Sequence, residues 1–398
     1  MDRIHILFLI DVLYGTQGGA EGVLWKMTNL LPKERYRCSI ATFATYADLV
    51  ASDSFPCKVH RFPIKRTYDL PALRTAFRLS KLIRSEGVSI VHTFFAASDL
   101  FGGLIARLSG CPVVISSRRD MGYQRTALHR VAYRLAGGLF DQVHAVGEQV
   151  RLQHIRQDGL EPGKVITLHN GVDLDAIDRV VKGSQLRQTA GDTASHVVIC
   201  VANIRPVKAM DVLVETADRV RRVLPGVRFA VAGAIQDEEY MRRVTDLAGR
   251  LNVARHVDFL GQRADVVSML KESDLFFLPS RSEGLSNAML EAMACRLPCV
   301  ATDVGGNKEL VADGRSGYVF PDGDSVTAAQ GIIRILTDRA AAASMGRAGR
   351  RLVEEHFTVQ AMIHKLTGLY EDLVARNSAC VQHRGPEEEI RDLMDTAR

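Results

Sequence analysis

A regular alternation of short apolar segments with longer amphipathic segments constrains the fold of this chain more than any other feature. Seven apolar segments occupy the first half, with helix-like patterns between them. They are 4-IHILFLI, 38-CSIATF, 57-CKVHRF, 88-VSIVHT, 112-PVVISS, 142-QVHAV and 165-VITLHN. Strands that alternate with helices in this way are typical of a parallel, doubly wound sheet.

The same alternation begins again near residue 196. Six further apolar segments follow: 197-VVICVAN, 227-VRFAVAG, 256-HVDFLG, 274-DLFFLPS, 297-LPCVATD and 317-GYVF. A polar stretch without periodicity, 183-GSQLRQTAGDTAS-195, separates the two series and predicts an interdomain linker. Because 398 residues are too many for one compact core, the sequence predicts an α/β protein with two Rossmann-like, doubly wound domains.

The composition excludes several classes of protein. Hydrophobic residues make up 46% of the chain and charged residues 24%, the balance of a globular protein with a sizeable core. The net charge of +5 comes without a nucleic-acid-binding motif, so we expect no nucleic acid partner. Seven scattered cysteines indicate a reducing compartment, and Asp11 interrupts the first apolar run, unlike a signal peptide. With no segment long enough to span a bilayer, the sequence predicts a cytoplasmic protein.

Three loops that follow predicted strands carry candidate binding residues. The first, 14-YGTQGGAEGVLWKM, places Gly18 and Gly19 just before a helix that begins near Glu21. Adjacent glycines let the backbone approach a ligand closely, and helix N-terminal amides attract phosphate or carboxylate. A flexible turn that merely reverses the chain is the alternative interpretation. The spacing does not match the dinucleotide-binding fingerprint, which argues against a nicotinamide-dependent dehydrogenase.

The second loop, 204-IRPVKAM, presents Arg205 and Lys208 where a strand ends and a helix begins. Two cations in that position can hold a diphosphate and offset the charge that develops on a leaving group. A solvated loop would also tolerate them, so this loop alone leaves both interpretations open.

The third loop, in 281-RSEGLSNAMLEAMA, holds Glu283, and Glu291 lies one turn inside a helix that begins near Asn287. This spacing predicts that Glu283 faces a polar ligand and that Glu291 reaches ribose hydroxyls. We expect an anion site at the backbone amides of Leu285, Ser286, Asn287 and Ala288. The helix dipole alone also favours an acid in a first turn, which would explain Glu291 but not the whole segment.

Together these segments resemble the retaining GT-B glycosyltransferases of family 4, the glycosyl transferases group 1. The resemblance rests on five segments, in order and at the family's spacing over nearly the whole chain: 18-GGAE, 205-RPVK, 282-SEGLSNAMLEAMA, 297-LPCVATDVGGNKELV and 313-DGRSGYVFPDGD. It implies an acceptor-binding domain over residues 1–185 and a nucleotide-sugar-binding domain over residues 196–356, facing a central cleft. It also implies a crossover helix over residues 357–378 that returns to the first domain, before a charged tail over residues 379–398.

The resemblance implies roles for individual residues as well. Arg205 and Lys208 would hold the donor diphosphate, and Glu283 would bond hydroxyls of the donor sugar, so these three are the catalytic candidates. Glu291 would bond the ribose. The other donor-binding candidates are Gly18 and Gly19, which would close on the diphosphate from the first domain, and Gln262 and Arg263, which would flank the nucleobase.

One position departs from the family pattern. Many members carry a histidine near the donor sugar at the end of the strand 112-PVVISS, where this chain has Arg118, followed by Arg119. His92 and the two arginines are the substitutes that we consider for sugar or acceptor contacts. For His92 the alternative is a satisfied histidine at a strand end, and Arg118 could instead bind an acidic acceptor or face solvent.

The resemblance implies a reaction that needs no metal and no cofactor beyond the nucleoside diphosphate sugar, which is a co-substrate. The acid pair Asp173 and Asp175 in 170-NGVDLD, like the pair in 322-DGD, resembles the metal-binding acids of the other glycosyltransferase fold. Both pairs follow glycine-containing turns and lie where the family has a linker or a loop. We therefore expect no metal at either pair.

The acceptor is expected to be a glycan or a lipid-linked molecule of cell-surface polysaccharide synthesis. Basic residues mixed with apolar and aromatic ones crowd 65-KRTYDLPALRTAFRLSKLIR and 118-RRDMGYQRTALHRVAYR. This pattern predicts a peripheral contact with an anionic membrane, although ordinary solvated helices would explain it too.

Two other functions fit the predicted architecture. A sugar-nucleotide epimerase of the hydrolysing type would need acids and histidines placed for proton abstraction, and the family 4 segments argue against it. A non-catalytic sugar-nucleotide-binding protein would be compatible with the missing histidine, but the intact set of Arg205, Lys208, Glu283 and Glu291 argues against lost activity.

Overall fold

The computed structural model describes two compact units built on parallel sheets, over residues 3–13, 19–43, 54–123, 125–183 and 196–383. The first unit comprises residues 1–146, 151–168 and 362–398, and the second comprises residues 147–150 and 169–361. Every apolar segment singled out in the sequence forms a β-strand. The prediction of an α/β protein with two Rossmann-like sheets is confirmed.

The first unit contains a seven-stranded parallel sheet. Its strands are β1 (Ile4–Ile10), β2 (Tyr36–Thr42), β3 (Lys58–Arg61), β4 (Ile90–Phe94), β5 (Val113–Arg118), β6 (Gln142–Ala145) and β7 (Val165–Thr167). They are ordered β3-β2-β1-β4-β5-β6-β7, so the direction of winding reverses between β1 and β4. The inner strands are buried on both faces, which explains why they are continuous apolar runs in the sequence.

Helices connect the strands of the first sheet. They are α1 (Gly19–Leu30), α2 (Leu70–Ser85), α3 (Gly103–Leu108), α4 (Ala127–Leu135) and α5 (Glu148–Asp158). The path from β3 through β4 and β5 to β6 runs in one direction across the sheet. Because parallel crossovers are right-handed, α2, α3 and α4 cover the same face, and α1 covers the other.

The second unit contains a six-stranded parallel sheet. Its strands are β8 (Val197–Val201), β9 (Arg228–Ala232), β10 (Val257–Phe259), β11 (Leu275–Leu278), β12 (Cys299–Thr302) and β13 (Gly317–Phe320). They are ordered β10-β9-β8-β11-β12-β13, and the winding reverses between β8 and β11. Loops that follow two such strands meet at the carboxyl edge of the sheet, the usual ligand position in open α/β sheets.

The helices of the second unit are α6 (Leu174–Gly183), α7 (Met210–Arg221), α8 (Glu238–Arg250), α9 (Val266–Lys271), α10 (Asn287–Ala294), α11 (Asn307–Leu310), α12 (Ser325–Thr337) and α13 (Arg339–His356). A last helix, α14 (Val359–His383), follows, and from Met362 onward its residues belong to the first unit. None of the helices in the described ranges is long and apolar enough to cross a bilayer.

The boundary between the units differs from the one predicted at residue 185, because residues 169–183 pack with the second unit. Val172 is the reason: its amide donates to the carbonyl of Phe357 at 2.8 Å, and its carbonyl accepts from the amide of Val359 at 3.0 Å. Most of the predicted linker, residues 184–195, lies outside the described residues. The predicted tail begins inside α14, and residues 384–398 also lie outside the described part.

Candidate functional site

The loop between β8 and α7 carries two of the predicted catalytic residues. Residues 206–208 form a short 3₁₀ turn, in which the amide of Lys208 donates to the carbonyl of Arg205 at 2.9 Å. Ala209 then takes a left-handed conformation with φ of 50°, and α7 begins at the next residue. The tight turn leaves Arg205 exposed and directs Lys208 into a partly buried position.

Lys208 and Glu283 form an ion pair at the point where the winding of the second sheet reverses. The Lys208 Nζ donates to Glu283 Oε1 at 2.5 Å, and the two side chains are 17% and 9% exposed. Glu283 lies in the loop after β11, the strand beside β8. The structure therefore brings together two predicted catalytic residues that are far apart in the sequence, and each orients the other because a largely buried pair is costly to break.

Arg281 joins the two loops that carry this pair, a role that the sequence analysis missed. Its amide donates to the carbonyl of Val207 at 2.8 Å, and its Nη1 donates to the carbonyl of Pro206 at 3.0 Å. The guanidinium also bonds both carboxylate oxygens of Asp211, at 3.0 and 2.5 Å. The bonds to Asp211 raise the pKa of Arg281, so its guanidinium stays charged while it joins the two loops.

A second residue besides Arg281 fixes the carboxylate of Asp211. The hydroxyl of Tyr240 donates to its Oδ1 at 2.6 Å. Burial alone would raise the pKa of Asp211, but the hydrogen bonds from Arg281 and Tyr240 lower it on balance. The carboxylate is consequently ionised at neutral pH and fixes Arg281 in place.

Two glycines after β12 pack directly on the backbone of Glu283 and Gly284 and were also missed as site residues. Gly305 has a φ of +51°, and a Cβ there would lie 1.8 Å from the carbonyl oxygen of Glu283. A Cβ at Gly306 would lie 2.4 Å from the carbonyl oxygen of Gly284, to which the Gly306 amide donates at 2.9 Å. The 305–306 turn thus fixes the position of the loop that carries Glu283, which we call the glutamate loop. The only sequence signal for this turn was the paired glycines of 297-LPCVATDVGG.

Helix α10 begins at Asn287, as the sequence predicted. Ser286 is its N-cap, and the Ser286 Oγ accepts from the amide of Met289 at 3.3 Å. Leu285 is buried, and Asn287 accepts a hydrogen bond from Asn170 at 2.7 Å. Glu291 lies one turn into the helix and is partly buried, as expected. An anion site at the amides of residues 285–288 and a ribose contact by Glu291 stay predictions.

The two base-side candidates lie after β10, at the edge of the second sheet. Gln262 and Arg263 are both exposed. Arg263 bonds both carboxylate oxygens of Asp265, at 2.8 and 2.7 Å, and these bonds raise its pKa. The amide of Gly233 donates to the carbonyl of Gly261 at 2.8 Å and ties the ends of β9 and β10 together. Base recognition by this loop stays a prediction.

The sugar contact considered for His92 is wrong, because the residue is buried in the first unit. Its Nδ1 lies 2.8 Å from the Tyr370 hydroxyl and its Nε2 lies 3.2 Å from His144 Nδ1. Burial lowers the pKa of His92 to about 3, so the ring is neutral at physiological pH. The alternative interpretation is therefore confirmed: His92 is a histidine at a strand end whose ring nitrogens both have hydrogen-bond partners. Its contact with Tyr370 also helps to hold α14 on the sheet.

Arg118 does not face solvent, which corrects one of the interpretations of this position. Its side chain is 2% exposed, its Nη1 donates to the carboxylate of Asp99, and its Nε lies 3.4 Å from that of Asp158. Burial opposes the charged form, but the two carboxylates raise the pKa of Arg118 on balance. Arg119 is partly buried, with its guanidinium 5.8 Å from the ring centroid of Phe94. Both arginines line a small cavity of about 70 Å³.

The first glycine loop is only partly described. Gly18 lies outside the described residues, and Gly19 is exposed at the first position of α1, two residues before the predicted start at Glu21. Asp173 belongs to the acid pair that resembles metal-binding acids. Its carboxylate accepts a hydrogen bond from the amide of Ala176 at 2.9 Å and so stabilises the start of α6.

A larger cavity in the first unit, of about 400 Å³, lies at the carboxyl ends of its strands. Asp11, Lys65, Arg66 and Tyr68 line it. Asp11 accepts from the amides of Ala97 and Ser98 at 2.9 and 2.7 Å, yet burial raises its pKa to about 6. No sequence signal marked this cavity, because its lining comes from four separate loops.

The chain matches two family models and many curated and solved proteins. Residues 17–176 match Glycosyltransferase Family 4, and residues 182–352 match Glycosyl transferases group 1. The GDP-mannose-dependent alpha-(1-6)-phosphatidylinositol monomannoside mannosyltransferase of Mycolicibacterium smegmatis is 31% identical over 71% of this chain and 76% of its own length. The UDP-Gal:alpha-D-GlcNAc-diphosphoundecaprenol alpha-1,3-galactosyltransferase of Escherichia coli is 24% identical over 89% of this chain and 94% of its own.

Among solved structures, the Anabaena protein HepE in complex with UDP and glucose superimposes with a TM-score of 0.79. The alignment covers 93% of this chain and all of that chain at 21% sequence identity. A glycosyltransferase from Rickettsia africae gives the same TM-score at 18% identity over 94% of this chain and 99% of that chain. These likenesses support the two-sheet fold described above.

Proposed function

The chain belongs to the group 1, family 4 glycosyltransferases, and we propose that it moves a sugar from a nucleoside diphosphate sugar to a hydroxyl of a glycan or lipid-linked acceptor, with retention of the anomeric configuration. One observation carries this proposal: the Lys208–Glu283 pair lies beside Arg205 at the reversal point of the second sheet. A diphosphate and a sugar require cations and a carboxylate side by side, which this loop pair supplies.

The donor can be oriented by these side chains in a simple way. Arg205 and Lys208 would bind the two phosphates, because both cations come from the turn after β8. Lys208 occupies Oε1 of Glu283, and we assign Oε2 to a hydroxyl of the donor sugar. The sugar would then lie on the glutamate side and the diphosphate on the cationic side of the same loop pair.

We propose that the transfer occurs on one face of the sugar. The bond from C1 to the diphosphate oxygen breaks, the acceptor oxygen bonds C1 from the same side, and the acceptor proton moves to the departing phosphate. Arg205 and Lys208 stabilise the negative charge that grows on the diphosphate. These two positive charges can take the place of a divalent cation, so we expect turnover without a metal or another cofactor.

The acceptor and the cellular setting are inferred from the relatives. The names of the two curated relatives describe transfer to a diphosphoundecaprenol-linked sugar and to a phosphatidylinositol mannoside. We propose a similar role in cell-surface polysaccharide or glycolipid synthesis, at the cytoplasmic side of the membrane. The described cysteines are unpaired thiols, which fits a reducing compartment.

Donor turnover tests the proposal directly. The full-length protein would be incubated with UDP-, GDP- and ADP-linked sugars, with and without a chelator, while release of the nucleoside diphosphate is measured. We expect release from one nucleotide family, unchanged by the chelator and lost in Glu283→Gln. The anomeric configuration of the product, read by NMR, should equal that of the donor.

Other outcomes would replace the proposal with its alternatives. Conversion of the donor sugar to an epimer without any acceptor would indicate an epimerase. Thermal stabilisation by a nucleotide sugar without release of nucleotide would indicate a binding protein. An inverted product would refute the same-face mechanism while leaving the transferase activity intact.

A further inference from the structure

Asn170 lies in a short segment, residues 169–172, at the start of the long stretch of chain that forms the second unit. The residue is only 4% exposed, although it is polar and belongs to no helix or strand. Its Nδ2 donates to Oδ1 of Asn287, the first residue of α10, at 2.7 Å. Because buried polar groups are retained where they have partners, this contact between residues 117 positions apart calls for an explanation.

The backbone of this segment is held on both sides of Asn170. Before it, the Nε2 of His169 lies 3.1 Å from Oε2 of Glu309 in α11. After it, Gly171 packs directly on the chain that leads into α14, since a Cβ there would lie 2.5 Å from the Cα of Val359. The Asn170 side chain is therefore a hydrogen-bond donor in a fixed position.

The contact decides which end of the Asn287 amide faces Asn170 and which end faces the other way. A carboxamide carries one acceptor oxygen and one NH₂ group with two donor hydrogens. Asn170 binds the oxygen, so the NH₂ group of Asn287 is directed away from Asn170. An NH₂ group attracts an anion, whereas an amide oxygen in the same place repels one.

Asn287 lies close to the ion pair that carries the proposed function. Glu283, four residues earlier in the chain, accepts from the Nζ of Lys208 at 2.5 Å. The backbone amides of residues 285–288 are the anion site expected from the sequence. Asn287 is half-buried at that point, and its NH₂ group would add a side-chain donor to those of the backbone.

We propose that Asn170 is a positioning residue of the donor site, which holds the side chain of Asn287 with its Nδ2 toward the diphosphate of the nucleotide sugar. Asn287 contacts the ligand, and Asn170 acts only through Asn287. The inference rests on the proposed function, because it requires a diphosphate beside the start of α10. It gives a role to the first residue of 170-NGVDLD, which the sequence alone left without one.

Substitutions that remove or reverse this hydrogen bond test the inference. The affinities of the full-length protein for UDP, GDP and ADP would be measured by calorimetry, and the variants would be compared with the nucleotide that the wild type binds. Asn170→Ala should raise Kd about twofold, because the Asn287 amide can then take either orientation and only one is competent. Asn170→Asp replaces the donor by an acceptor, so the amide reverses and turns its oxygen toward the anion. Kd should then rise at least about tenfold.

A double variant separates the reversed amide from the other effects of a new carboxylate. In Asn287→Ala there is no amide to reverse, so the addition of Asn170→Asp should leave the Kd of Asn287→Ala unchanged. Asn377→Asp is the matched control, because Asn377 is half-buried in α14 and its Nδ2 donates to the carbonyl of Leu373 at 3.1 Å. Its Kd should equal that of the wild type. Partial unfolding of a variant would lower the number of binding sites, which calorimetry measures separately from Kd.

The possible results distinguish this inference from the proposed function. A wild-type Kd in Asn170→Asp would overturn the positioning role, and so would a rise in Kd that persists when Asn287→Ala is also present. In both cases the wild type still binds its nucleotide, and the proposed function stands. A wild type that binds none of the three nucleotides would refute the proposed function and the inference together.

Discussion

Replacing Gly305 by alanine should disable the site through the backbone of Glu283. A Cβ at this position would lie 1.8 Å from the carbonyl oxygen of Glu283, well inside the closest approach of about 3.0 Å that real Cβ atoms reach. Relief of the overlap requires a displacement of roughly 1 Å between the two loops, and a misplacement of this size costs about a hundredfold in rate. That factor corresponds to about 2.7 kcal/mol of activation free energy.

Gly314→Ala is the matched control for this substitution. Gly314 also has a positive φ, of +72°, but a Cβ there would meet nothing within 4 Å. Both variants therefore incur the left-handed backbone strain of roughly 1 to 2 kcal/mol, and both melting temperatures should fall by a few degrees. Only Gly305→Ala should also displace Glu283.

The assay is the initial rate of nucleotide release with the donor identified by the screen, together with thermal unfolding of each variant. We expect kcat/KM to fall about a hundredfold in Gly305→Ala and to stay within about threefold of the wild type in Gly314→Ala. Equal rates in the two alanine variants would refute the conclusion that the 305–306 turn positions the glutamate loop.

Three further predictions concern individual side chains. Lys208→Met should lower kcat by about 10²- to 10³-fold, because it removes a charge beside the leaving group; steady-state kinetics that match the wild type would exclude this role. Arg281→Ala should lower kcat about tenfold through loss of the bonds to Pro206 and Asp211, with partial recovery in Arg281→Lys. Wild-type kcat values in both variants would refute the role of Arg281 in joining the two loops. Asp11→Asn should change the pH dependence of stability: burial raises the pKa of Asp11 from 3.8 to about 6, so the folded state binds more protons and stability falls as pH rises from about 4 to 6. Urea midpoints at several pH values should show this fall, roughly 3 kcal/mol at most, in the wild type and a smaller one in the variant; parallel profiles would contradict it.

The strands and the start of α10 could be predicted because their signals are local. Buried parallel strands require continuous apolar runs, and the sequence shows such runs for the inner strands of both sheets. Ser286 is a favourable N-cap residue directly before the apolar helix that it caps. The loop positions of Glu283, Arg205 and Lys208 followed from the same strand ends.

The contacts that complete the site could not be predicted, because they join loops from different strands. Arg281 meets Pro206 and Asp211 only after β8 and β11 pair, and Gly305 meets Glu283 only once β12 is beside β11. The paired glycines mark a turn, but sequence spacing does not indicate which loop that turn meets.

The interpretation of His92 as a ligand contact and that of Arg118 as a solvent-facing residue failed for a related reason. The Tyr370 hydroxyl that bonds His92 and the Asp99 carboxylate that binds Arg118 come from other elements of the first unit.

Donor binding by the turn after β8 is the central claim, and one titration tests it most directly. The affinity for the nucleoside diphosphate of the active donor would be measured by calorimetry for the wild type, Arg205→Ala and Arg228→Ala. Arg228 is a matched exposed arginine at the start of β9, paired with Asp258 at 2.5 Å. We expect Kd to rise at least about tenfold in Arg205→Ala and to stay unchanged in Arg228→Ala, because only Arg205 would contact the diphosphate. An unchanged Kd in Arg205→Ala would contradict the account and place the diphosphate elsewhere.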